Sequence, residues 1–137
     1  MINIDELKPK IHTLAEKYGL SLVLLFGSQA TGKTHKESDV DIAFIADQKL
    51  DFMDQAKLNT ELSEMFRNER VDIVNMKTAS PLLLKHTVKA AHILYERTPH
   101  VFDSMYAYAL KIYEESKPLF DLRRHYLDYK ISQYRHA

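Results

Sequence analysis

Two short apolar runs, "LSLVLLF" over residues 20–26 and "DVDIAFIA" over residues 39–46, flank the polar stretch "GSQATGKTHKES". Both runs are too short for buried helices, and their leucines, β-branched residues and phenylalanines suit strands buried in a sheet. "RVDIVNM", residues 70–76, reads as a third strand. Strands this apolar need cover, and the remaining segments supply it. Ile4, Leu7, Ile11, Leu14 and Tyr18 recur at three- and four-residue steps, which predicts a helix with Pro9 in its first turn and Gly19 as its stop. Phe52, Leu58, Leu62, Met65 and Phe66 form a looser stripe behind an Asp51 cap. In "TASPLLLKHTVKAAHILYE", Ser80 caps a helix with Pro81 at its first position, and "HILYE" reads as a short extra strand. From Pro99 onward the chain reads as helical, with a break at Pro118.

This order of elements predicts an α/β (α+β) fold, a small mixed sheet flanked by helices. The two strands joined by the 52–66 helix should be parallel, with a right-handed crossover. At 137 residues the chain is one domain by length, able to bury roughly two-thirds of its unfolded surface. The expected division is a core over residues 1–98 and a C-terminal helical extension of the same domain over 99–137.

Nineteen basic and nineteen acidic residues cancel, which argues against sequence-independent nucleic-acid binding through the whole-protein field. The chain contains no cysteine, so disulfides and thiolate metal sites are excluded. "MINIDELKPK" lacks the apolar stretch of a signal peptide, and no apolar run approaches the ~20 residues of a membrane span. A soluble, cytoplasmic protein is expected.

The central stretch satisfies two motifs. Residues 27–34, "GSQATGKT", fit the G-x-x-x-x-G-K-[ST] pattern of a P-loop. A P-loop must open straight into a long helix whose first N–H groups hold the phosphates. Only "HKES" separates Thr34 from the next strand, so that helix has no room. The competing motif is Gly27-Ser28, ten residues, then Asp39-x-Asp41. Two residues apart in a strand, Asp39 and Asp41 project from one face while Val40 and Ile42 bury. Asp72, near the front of the next parallel strand, would lie level with them as a third carboxylate. Hard oxygen donors without cysteine select magnesium or manganese. Backbone N–H groups and the hydroxyl of Ser28 would then face the carboxylates across a gap the size of a triphosphate.

On those residues the chain resembles the minimal nucleotidyltransferase (MNT) antitoxins of HEPN/MNT toxin–antitoxin pairs, within the DNA polymerase β-like nucleotidyltransferase superfamily. The resemblance covers about residues 4–95 and rests on Gly27, Ser28, Asp39, Asp41 and Asp72. It implies that Asp39 and Asp41 bind magnesium together with ATP. It also implies that Asp72 helps hold the catalytic metal and activate the acceptor, and that the helix start at Gly27-Ser28 binds the triphosphate. Many members carry Arg directly after the Ser. This chain has Gln29, and Lys33 is the candidate substitute for that phosphate contact. The resemblance further implies a partner, a HEPN-domain RNase toxin bound as a hetero-oligomer, with AMP transferred from ATP to a toxin tyrosine hydroxyl.

Two rival functions share the motif: nucleotide transfer to a small molecule or an RNA end, and an antitoxin that neutralises by contact alone. The first usually requires a substantial acceptor domain, which a helical tail of this length does not supply. That tail, "LRRHYLDYKISQYRHA", sets Arg123, Arg124, Lys130 and Arg135 against Asp128 alone. It reads equally as a protein-binding surface and as a solvated helix end that favours the helix dipole. His35 lies in the loop before Asp39, where it could touch nucleotide. His86 and His92, six apart, fit no common metal site and read as structural. Tyr106, Tyr113 and Tyr126 read as packing residues.

Overall fold

The computed structural model describes residues 3–27 and 39–135. Its elements run α1 (Ile4–Tyr18), β1 (Leu20–Phe26), β2 (Val40–Ala46), α2 (Phe52–Phe66), β3 (Val71–Asn75), α3 (Pro81–Lys89), β4 (His92–Glu96) and α4 (Val101–Arg135). The strands form one mixed sheet in the order β3-β2-β1-β4. β1 is antiparallel to β2 and β4, whereas β2 and β3, joined through α2, are parallel as expected.

Alternation along the central strands divides the side chains between two layers. One face carries Val23 and Leu25 of β1 with Val40, Ile42 and Phe44 of β2, covered by Leu7, Ile11 and Leu14 of α1 and Leu58, Leu62 and Phe66 of α2. The other carries Leu22, Leu24 and Ala43, covered by Leu84 and Val88 of α3 and Ala109 of α4. β1 and β2 are thus buried on both sides, which is why their sequences are nearly continuous apolar runs. Removing a side chain such as Phe44, which is fully buried, would cost about 3–5 kcal/mol.

The caps form where the sequence places them. Asp51 accepts a hydrogen bond from the Asp54 N–H at 2.7 Å, and Ser80 accepts from the Leu83 N–H at 3.3 Å with Pro81 next in line. Gly19 ends α1 in the left-handed conformation at φ 66°, its N–H bonded to the Ala15 carbonyl.

Three expectations need correction. Pro9 sits beyond the first turn of α1, and Pro118 does not break the last helix, which is continuous from Val101 to Arg135. Pro9 and Pro118 lie on solvent faces, as do Asp5 and Glu114, whose carbonyls lose a partner, so water can satisfy them. β2 begins at Val40, which leaves Asp39 one residue ahead of the strand. Among the described residues no helix is long and apolar enough to cross a membrane.

Candidate active site

The chemistry-bearing residues gather at one end of the sheet, where β1 ends and β2 and β3 begin. Phe26 is the last residue of β1 and pairs with Asp41. On its other side Asp41 pairs with Asp72 across the parallel β2–β3 ladder. The two carboxylates are therefore neighbours on adjacent strands, on the face that also carries Ala43 and Val74. Asp39 precedes β2 and is exposed, Asp41 is half-buried, and Asp72 is exposed on β3, an edge strand.

Backbone contacts hold this end in register. The Val40 N–H donates to the Arg70 carbonyl at 2.8 Å, fixing the first rung between β2 and β3. From α2, the Asn59 side-chain amide donates to the Val71 carbonyl at 2.7 Å, directly before Asp72. Asn59 escaped sequence reading because it lies beside the Leu58–Leu62 stripe, where one polar residue looks like the edge of an apolar face. Its reach across to β3 is a tertiary fact.

Gly27 plays a second role besides membership in a motif. It has a positive φ of 78°, and a Cβ there would collide with the Asp41 carboxylate. The chain has three glycines, and this one is required both by its conformation and by the close approach of an acidic side chain. The Asp41 carboxylate thus lies against the turn that opens the Gly-Ser motif.

Burial holds the Asp41 carboxyl above the usual carboxylate range, and the neighbouring Asp72 and Asp39 charges push it further the same way. Three hard-oxygen donors crowded until one resists ionisation form a set whose repulsion a divalent cation would relieve. Among the described residues no three His, Cys, Asp or Glu side chains already converge on a single point, so the carboxylates are adjacent rather than closed into a cage. Their like charges favour that spread arrangement. The donor set fits a magnesium-type ion, and a chain without cysteine excludes a thiolate site.

Of the residues singled out in the sequence, the fold brings together Gly27, Asp39, Asp41 and Asp72. Ser28, Gln29, Lys33 and His35 lie outside the described residues. The P-loop alternative fails on room alone: β2 is already under way at Val40, so no long helix can follow Thr34. His86 and His92 are both exposed. Tyr106 packs on the second core and Tyr113 lies against Phe120, but Tyr126, expected to pack, is 57% exposed. It falls where α4 has left the sheet behind.

Comparison with known proteins agrees with this geometry. Residues 9–100 match the family described as polymerase beta, nucleotidyltransferase. The protein adenylyltransferase MntA of Aphanizomenon flos-aquae is 30% identical, the match spanning 71% of this chain and 78% of that one. A crystal structure of a toxin–antitoxin with AMP-PNP superposes with a TM-score of 0.74 at 27% identity, over 90% of this chain and 98% of the other. A minimal nucleotidyltransferase structure superposes with a TM-score of 0.57 at 26% identity, over 66% of this chain and 95% of its own.

Proposed function

The chain belongs to the polymerase β nucleotidyltransferase family, and we propose that within it the chain is an antitoxin that transfers AMP from ATP to a tyrosine hydroxyl of a HEPN-domain toxin, neutralising it. The carrying observation is the registered pair Asp41 and Asp72 beside the Gly27 turn. Acidic donors beside the residue that opens the Gly-Ser motif, one of them on an edge strand, support this reading.

Asp39, Asp41 and Asp72 would hold magnesium, with manganese as the alternative ion. When bound, it neutralises the triphosphate and stabilises the attacking and departing oxygens of an in-line displacement. The rest falls to the chain. Gly27 allows the backbone to turn tightly against Asp41, and Ser28, Gln29 and Lys33 supply donors to the phosphates. Asp72 is exposed on the edge strand, so a bulky protein acceptor can approach it. Its carboxylate would receive the proton of the attacking hydroxyl. The acceptor oxygen forms a bond to the α-phosphorus, the bond from that phosphorus to pyrophosphate breaks, and a phosphodiester remains on the toxin. No covalent intermediate on this chain is required.

Residues 1–98 would carry the transferase chemistry, and 99–137 would form a helical extension of the same domain. The test is intact-mass spectrometry of the HEPN toxin after incubation with this chain, ATP and magnesium. The expected result is a gain of one or more AMP residues, dependent on both ATP and metal, and a toxin that stays inactive after the antitoxin is removed. An unmodified toxin that regains full activity on separation would show neutralisation by contact alone. A second check orders two variants: Asp72→Asn should reduce transfer more than Lys33→Ala, the reverse of what a P-loop would give.

A further inference from the structure

α4 runs for 35 residues, about 52 Å at 1.5 Å per residue, yet only its first half has a layer beneath it. Val101, Phe102, Met105, Tyr106, Ala109 and Ile112 press on the second core. Continuing the same three- and four-residue steps brings Phe120, Leu127, Ile131 and Tyr134 onto the same side of the helix. These are 39%, 47%, 50% and 80% exposed. The stripe that seats the helix on the domain thus carries on past the domain's end. A second apolar stripe, Leu122, Tyr126 and Tyr129, lies about 130° further round and is also exposed.

Charge is segregated along with it. Residues 117–135 hold five cations, Lys117, Arg123, Arg124, Lys130 and Arg135, against Asp121 and Asp128. The distal segment is net positive in a chain whose charges cancel, so the remainder is net acidic. Arg123 and Lys130 fall between the two apolar stripes, which suits a partner surface that sets acidic groups between two apolar contacts.

We propose that the distal half of α4, residues 119–134, is the docking helix for the acceptor protein, the toxin of the proposed reaction, a statement that rests on that functional reading. The length of the matches supports this occupant. A superposition covering 96% of the chain leaves out only about six residues, so a toxin–antitoxin relative shares most of residues 119–134. The minimal nucleotidyltransferase matches 66% of the chain and is itself 95% covered, so the transferase core exists without such a segment. Size agrees: Phe120, Tyr126, Tyr129 and Tyr134 at roughly 150 Å² each approach the roughly 800 Å² that one side of a stable interface buries. Exposed aromatic and arginine side chains are also the types that dominate binding energy. The proximal half of α4 packs on β1 and β4, on the same sheet face as Asp41 and Asp72, so a toxin held by this helix is tethered on the face of the sheet that carries the carboxylates.

The test measures binding of the purified HEPN toxin to the full chain by titration calorimetry, using two variants, Leu127→Glu/Ile131→Glu and Arg123→Glu/Lys130→Glu. All four side chains lie beyond the packed half of α4, and AMP-PNP affinity, measured in parallel, should be unchanged. Toxin affinity should fall roughly 100-fold in the first variant, with a smaller, salt-sensitive fall in the second. Toxin affinity equal to wild type in both variants overturns the docking helix. So does a variant that loses only self-association by light scattering, or only binding to a single-stranded RNA, while holding the toxin as before. If the wild type binds toxin, the variant does not, and no AMP appears on the toxin with ATP and magnesium, the docking helix stands and the transfer reading falls.

Discussion

Strand β2 places an aspartate near each end, and the two are treated in opposite ways. At the start, Asp41 is half-buried beside Asp72 and near Asp39, and its carboxyl is held above the usual carboxylate range by burial first and by those charges second. Just past the other end, Asp47 meets the guanidinium of Arg97 through two hydrogen bonds of 2.9 and 2.5 Å, which hold its carboxyl below that range. Arg97 also donates to the Leu20 carbonyl at 3.1 Å, and the Asp47 N–H donates to the Gly19 carbonyl at 2.9 Å. One end of the sheet thus pairs its charges and ties strands together, while the other concentrates like charges around a glycine turn. Folding has no use for the second arrangement, whereas a cation and a triphosphate do.

The comparison breaks most visibly if the crowded end proves structural. Asp39→Asn/Asp41→Asn should lower AMP transfer by at least roughly a thousandfold, the scale of several kcal/mol of charge stabilisation. Thermal melting near neutral pH should show no loss of stability, since two repelling charges are removed. A large drop in melting temperature would place these residues with Asp47 as structural ones. Next in size is Gly27→Ala, which should destabilise by about 1–3 kcal/mol in urea unfolding through its positive φ and its collision with the Asp41 carboxylate. In an Asp41→Ala background the cost should shrink, and an equal cost in both backgrounds would rule out the close approach as its cause.

Asn59→Ala should cost about 1 kcal/mol by urea unfolding, because the Val71 carbonyl loses its donor, and should slow transfer by loosening the start of β3. Unchanged transfer would separate Asn59 from the placement of Asp72. Asp47→Asn is expected to have the smallest effect, a slight fall in melting temperature with transfer intact, because the pair is exposed to solvent. Its sign with pH is fixed: Asp47 has a lowered pKa in the folded state, so its contribution is present above the unfolded carboxylate value of 3.8 and is lost as pH falls through the folded one. Melting curves of wild type and variant should therefore differ near neutrality and converge in acid.

Much of this fold was legible because the signals are local. The 20–26 run became β1 and the 52–66 stripe became α2 with the boundaries read from the sequence, and Asp51, Ser80 and Gly19 mark helix ends through short-range hydrogen bonds. The prolines misled because a ring's cost depends on what faces the carbonyl four residues back. At Pro9 and Pro118 that side is solvent, which no local pattern reveals.

For the site, the sequence alone determined residue types and spacing: Gly27-Ser28, the Asp39-x-Asp41 pair and an Asp near the front of the next strand. Spacing along a chain is covalent, and period-two alternation converts it into a shared sheet face. Only the tertiary structure decided that Asp72 stands level with Asp41, that the Asp41 carboxylate rests on Gly27, that Asn59 holds the start of β3 directly before Asp72, and that half of α4 stands clear of the core. Each of these depends on how far apart two segments lie after folding, a distance set by strand pairing and by packing against the sheet, and no short stretch of sequence encodes it.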